Sequence, residues 1–204
     1  MKLIAVSQRV DPYPDRSECR DALDQKLVRL LVVAGYLAVP VPNAFMLQCA
    51  EYNQYRFFLA KWLDAIKPHG FMLTGGNDLG ACPERDMTEY RLLDYAEQHR
   101  LPVLGICRGM QIMGVKSGVS LQQVSGHAGT RHMLTGHFAG EFNSYHSYAL
   151  AECPEGFEVL ARAEDGNIEA MRHCDFPWQG WMWHPEREEP FLSCDIERFK
   201  DLFS

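Results

Sequence analysis

The chain has 204 residues, 47% hydrophobic and 23% charged, enough to bury one substantial core but not two full domains, so a single domain over residues 1–204 is expected. Its formal net charge is -7, with no Lys/Arg block, which argues against nucleic-acid or membrane partners and for a small-molecule or protein partner. Residues 1–9 hold too short an apolar run for a signal peptide, and no stretch approaches the roughly 20 apolar residues of a membrane span, so a cytoplasmic location is expected.

Apolar runs alternate with amphipathic segments through the first half, as βαβ units do when crossover helices cover both faces of a sheet. Leu3–Val6 reads as the first strand. Ala22, Leu23, Leu27, Leu30, Leu31 and Ala34 recur at helical spacing, which predicts a helix over residues 17–35 stopped by Gly35. A strand over Leu37–Val41, a helix over Tyr55–Ile66, a strand over Gly70–Leu73, a helix over Asp86–His99 and a strand over Pro102–Ile106 follow. Four strand–helix units predict a parallel sheet. After Val115 short alternating stretches take over: Ser120–Val124, Tyr145–Leu150, Glu158–Ala163, Ile168–Met171 and Gly180–Trp183. These predict antiparallel or mixed strands appended to the parallel core.

Seven cysteines are present, namely Cys19, Cys49, Cys82, Cys107, Cys153, Cys174 and Cys194. An odd number without CxxC pairs, in a chain of this size, fits reduced thiols better than disulfides or a zinc site. Cys107 differs from the rest. An apolar strand runs into Gly105-x-Cys107-x-Gly109 and then into helix-compatible sequence, which predicts a sharp elbow with the thiol at the sheet's carboxyl edge. The helix that starts there turns its free N–H groups and positive dipole end toward the sulfur, favouring the thiolate. The other six cysteines lack that context and read as structural.

A thiolate nucleophile needs a base held by a third group. Among eight histidines, His184 follows the buried run Gly180–Trp183 and precedes Pro185-Glu186. Pro185 fixes its own φ and pushes His184 into an extended conformation, so that the Glu186 carboxylate can be held near the imidazole. Cys107, His184 and Glu186 are therefore the expected catalytic triad.

Taken together, Thr74-Gly75-Gly76-x-Asp78, Arg85-Asp86-x-x-Glu89, Gly105-Ile106-Cys107-Arg108-Gly109-x-Gln111, Asn143–Ser147 and His184-Pro185-Glu186 resemble the class I glutamine amidotransferases, within them the γ-glutamyl hydrolase (peptidase C26) type. The resemblance covers nearly the whole chain. It implies an α/β, flavodoxin-like, doubly wound and mostly parallel sheet with appended antiparallel strands, and a site at the strands' carboxyl ends. It implies an oxyanion hole from the backbone N–H groups of Gly76 and Arg108. It also implies contacts from Gln111, Asn143, Ser144, Tyr145 and His146 to the substrate's α-amino and α-carboxyl groups. The implied reaction is hydrolysis of a γ-glutamyl amide through a γ-glutamyl thioester, with no cofactor and no metal.

Only six residues separate Asp78 from Arg85, a connection short enough to admit a large leaving group. That connection and Ser7-Gln8-Arg9 are similar to hydrolases of γ-glutamyl-CDP-amidate, a nucleotide-linked substrate. Arg9, Arg85 and Arg131, read as loop residues, could meet its phosphate, or could instead be solvated or paired with Asp11, Asp86 or Glu89. The alternative activity is that of a glutaminase subunit supplying ammonia to a separate synthase. The sequence leaves a homodimer and a synthase partner open.

Overall fold

A computed structural model describes residues 1–46 and 52–204, without the side chains of 46 and 52–57. Strand β1 (Lys2–Val6) leads into a hairpin, β2 (Arg9–Tyr13) and β3 (Glu18–Ala22), and then helix α1 (Gln25–Ala34). Next come β4 (Tyr36–Pro40), α2 (Tyr52–Ile66), β5 (Gly70–Leu73), α3 (Pro83–His99), β6 (Val103–Ile106) and α4 (Arg108–Lys116). The second half contributes β7 (Leu121–Gln123), β8 (Ala128–Gly136), β9 (Gly140–Tyr145), β10 (Tyr148–Leu150), β11 (Phe157–Ala163), β12 (Ile168–His173), β13 (Trp178–Trp181) and α5 (Ser193–Leu202).

One nine-stranded sheet runs β4-β1-β5-β6-β13-β12-β11-β8-β9. Its first five strands are mutually parallel, and the pairs from β13 outward are antiparallel. The doubly wound core with appended antiparallel strands is thus present. Side chains alternate across it: Ile4, Val6, Met72, Leu104 and Ile106 join the layer that contains α1 and α5, whereas Ala5, Phe71, Leu73 and Val103 join the layer of α2, α3 and α4. Burial on both faces is why these strands read as continuous apolar runs.

Helix α1 is shorter than expected. Residues 17–22 belong to the hairpin, Ser17 is left-handed, and the helix begins where the Asp24 side chain accepts a hydrogen bond from Lys26 N. Pro12 and Pro14 favour extended and turn conformations in this stretch, while the apolar periodicity marks only the helix's buried face. The stretch expected as one strand over Tyr145–Leu150 is also divided. Its first residue ends β9, and Tyr148–Leu150 pairs with β7 in a separate two-stranded sheet. The long strands β8 and β9 went unpredicted because most of β8 is exposed and polar.

Candidate active site

Four parallel strands of the sheet end at one crevice. Ser7 follows β1, Thr74 follows β5, Cys107 follows β6, and His184 lies three residues beyond β13. The strand order reverses between β1 and β5, so this is the crevice that a doubly wound sheet opens at its carboxyl edge.

Cys107 stands between β6 and α4 with φ 52° and ψ −107°, a conformation that a non-glycine residue adopts only under the constraint of its surroundings. The constraint is close packing. A Cβ on Gly105 would lie 2.5 Å from the backbone of Gly109, and one on Gly109 would lie 2.2 Å from the Leu73 carbonyl oxygen. The elbow therefore requires glycine on both sides of the thiol. Arg108 opens α4, so its N–H belongs to the first turn, which has no helical acceptor.

The structure brings Cys107, His184 and Glu186 together. His184 is 3% exposed; it lines one cavity with Cys107, and its Nδ1 lies 2.6 Å from Glu186 Oε1. Burial works to lower the imidazole pKa, but the hydrogen bonds and charges of Cys107 and Glu186 outweigh it and raise the pKa to about 9. The His184 main chain is fixed as well, since its N–H donates to Asn143 Oδ1 and its carbonyl accepts from Asn143 Nδ2, both at 2.9 Å.

A buried polar network holds the Thr74–Asn77 turn against this imidazole. Arg85 Nη2 donates to the carbonyls of Thr74 and Gly75, and its Nη1 donates to Asn77 Oδ1. Glu89 accepts from Arg85, from Ser7 Oγ and from Arg108, and Arg108 also pairs with Asp86. Ser7 Oγ in turn accepts from Thr74 N. The fit is tight, for a Cβ on Gly75 would lie 2.6 Å from His184 Cε1. Gly76 follows with φ 106°.

Cys107, Arg108, Gln111, Gly76, Tyr145, His146 and His184 line a cavity of about 170 Å³, together with Asp78, Ser147, Tyr148 and Arg187. Gln111 donates to the Tyr148 carbonyl from the cavity wall. Tyr145 presents its ring edge-on to His184 at 5.8 Å. Three residues expected at the substrate, Asn143, Ser144 and Arg9, do not line this cavity. Asn143 is 4% exposed and brackets His184, whereas Ser144 is 1% exposed and donates to the His127 carbonyl. Arg9 pairs with Asp11 at 2.7 Å and lines a smaller cavity that shares Gly76, His184 and Arg187 with this one. Both ring nitrogens of His146 face protein groups, Tyr148 O and Glu169.

The arginines expected at a phosphate are engaged too. Arg85 is fully buried in α3, rather than in a loop, and is paired with Glu89; Arg131 lies in β8 and pairs with Glu141 and Glu188. Besides Arg108, which is paired with Asp86 and Glu89, the Cys107 cavity is lined by Arg187, which lies 3.9 Å from Glu186 and whose only signal in the sequence is that it adjoins that residue. Its guanidinium lies 4.2 Å from the centroid of the Tyr145 ring. The other described cysteines are free thiols outside this cavity, and Cys49 lies outside the described residues.

Such a sheet, with a thiol on a strand-to-helix elbow beside a His–Glu pair, defines a hydrolase of the class I glutamine amidotransferase type. The peptidase C26 family profile matches residues 21–186, and the chain belongs to that family. It is 27% identical to the γ-glutamyl-CDP-amidate hydrolase of Campylobacter jejuni, over 98% of this chain and 97% of that protein. It is 29% identical to the glutamine-hydrolysing GMP synthase subunit of Methanocaldococcus jannaschii, over 79% of this chain and 81% of that one. In structure it is similar to a GMP synthase subunit of Thermoplasma acidophilum, with a TM-score of 0.71 at 18% identity, covering 100% of this chain and 92% of that one. Among the described residues no helix is long and apolar enough to cross a membrane.

Proposed function

We propose that the protein hydrolyses the γ-amide of a γ-glutamyl compound through a thioester on Cys107. The observation that carries this reading is Cys107 and His184 lining one cavity at the sheet's carboxyl edge, with Glu186 hydrogen-bonded to the far side of the imidazole. With its pKa raised to about 9, His184 is protonated at neutral pH, which favours a thiolate at its side.

The sulfur attacks the γ-carbonyl carbon, and the oxyanion forms beside the N–H groups of Gly76 and Arg108. Losing one such donor typically costs about 2.7–4 kcal/mol of transition-state stabilisation. His184 gives its proton to the departing amine as the C–N bond breaks. It then takes a proton from the water that attacks the thioester, and the C–S bond breaks to release glutamate and restore the thiolate beside the protonated imidazole. Glu186 keeps the imidazole oriented throughout.

Arg187 supports an anionic leaving group, because it lines the same cavity and is braced on Tyr145. The full-length likeness to a γ-glutamyl-CDP-amidate hydrolase points to the same chemistry. The likeness to glutamine-hydrolysing GMP synthase subunits favours a second reading, a glutaminase that supplies ammonia to a synthase partner.

Turnover of glutamine, neutral γ-glutamyl amides and γ-glutamyl nucleotide amidates by wild type, Cys107→Ala and Arg187→Gln separates these readings. Hydrolysis of the amidate that is lost in Cys107→Ala and weakened about tenfold or more by Arg187→Gln, as expected for one charged contact, supports the first. Glutamine as the sole substrate supports the second. Full activity of Cys107→Ala removes both.

A further inference from the structure

Beside the wall of the Cys107 cavity, three elements bring His127, His146 and Glu169 together. His127 precedes β8, His146 lies between β9 and β10, and Glu169 is in β12; each is at most 3% exposed. Their facing atoms lie within 4.8 Å of one another, with His127 Nδ1 and His146 Nε2 each 3.3 Å from Glu169 Oε1. None of the three atoms has a hydrogen-bond partner.

The outward nitrogens decide which tautomers are present. His146 Nδ1 lies 3.0 Å from the Tyr148 carbonyl, which can only accept, so Nδ1 carries the proton and Nε2 of the neutral ring is bare. His127 Nε2 lies 2.7 Å from the Asp165 carboxylate, which leaves Nδ1 bare by the same reasoning. Asp165 is itself held by the backbone and side-chain nitrogens of Asn167. Two lone pairs and a carboxylate oxygen therefore converge in a buried space, an arrangement that repels itself unless a cation sits among them.

We propose that His127, His146 and Glu169 form a binding site for a divalent transition-metal ion of the zinc type, with Asp165 and the Tyr148 carbonyl orienting the two imidazoles. Bonds of about 2.0–2.2 Å in a tetrahedral site give donor–donor edges of about 3.4 Å, close to the two separations seen here. Two imidazoles and one carboxylate suit zinc and its neighbours rather than calcium or magnesium. Histidine ligands that donate their second N–H to a carboxylate or a carbonyl are the usual supporting shell of such an ion. The ion would tie the 145–148 segment, which lines the cavity, to β8 and β12.

The test uses the full chain carrying Cys107→Ala, so that the thiol cannot take the metal. Protein stripped with chelator is titrated with Zn²⁺ by calorimetry and with Co²⁺ by visible absorption, and a zinc-soaked crystal is examined by anomalous scattering. One ion per chain at His127, with tetrahedral Co²⁺ bands, is expected. Glu169→Gln should weaken binding at least 100-fold. The partly exposed Asp165→Asn, which leaves the ligands in place, should weaken it by about 10–100-fold. Absence of stoichiometric binding, or binding that neither variant changes, overturns the proposal; a purely structural Asp165 would leave metal affinity unmoved.

Discussion

Replacing Glu186 with Gln keeps the side-chain shape but removes the carboxylate 2.6 Å from His184 Nδ1. Burial opposes the imidazolium, and its pKa nevertheless rises from 6.5 to about 9 through hydrogen bonds and charges from Cys107 and Glu186. That rise corresponds to about 3 kcal/mol in favour of the protonated ring, at about 1.4 kcal/mol per unit. Glu186 contributes to that rise through both a hydrogen bond and its charge, so its loss should lower the pKa. In the proposed mechanism His184 must be protonated to release the amine. The alkaline limb of kcat/KM should therefore lie near pH 9 in the wild type and at lower pH in Glu186→Gln. Stability follows the same sign. The folded state's raised pKa contributes fully below about pH 6.5 and is lost as pH rises through about 9, so the Tm gap between the two proteins should close across that window. Coincident alkaline limbs, in variants shown to be folded by circular dichroism, would refute the account of His184.

Gly75→Ala places a methyl group 2.6 Å from His184 Cε1; kcat should fall about 100-fold from displacement of the ring, and an unchanged kcat counts against the tight fit. Asn143→Ala leaves the His184 N–H and carbonyl without their buried partner, so urea denaturation should show a loss of about 1–3 kcal/mol, and an unshifted midpoint would contradict this. Arg85→Met leaves Glu89 deprived of one buried cation and the Thr74–Asn77 turn of four hydrogen-bond donations from the Arg85 side chain. A loss of about 3–5 kcal/mol is expected, and equal Tm values would show that the pair contributes nothing net.

How much could be read in the sequence depended on whether the cause was local. The elbow at Cys107 and the His184-Pro185-Glu186 turn were legible because their geometry is set within a few residues, by glycines and a proline. The sheet was legible where β1, β5 and β6 are buried on both faces. The hairpin over residues 9–22 was not, since its strands are largely exposed and pair with each other outside the large sheet. Nor was the fate of Asn143: next to Ser144 it reads as a loop polar residue, and only the pairing of β8 with β9 carries it to His184. Arg85 looked like a free loop cation, although its spacing of four residues from Glu89 was itself a helical signal of a pair.

The chain places carboxylates against histidines in two ways, and the difference bears on what each place does. At His184 the nitrogen and the Glu186 oxygen meet within hydrogen-bonding geometry, so a single proton satisfies both atoms and the shared charge can be used in acid–base steps. At Glu169 the imidazoles have already spent their protons outward, on Asp165 and on Tyr148. The three inward atoms there are close but unbonded. Adding one proton would satisfy at most one nitrogen and would leave the other lone pair buried, whereas a divalent ion answers all three. Since His146 is shared between that cluster and the wall of the Cys107 cavity, an ion held there would fix the cavity's shape without taking part in the acyl transfer.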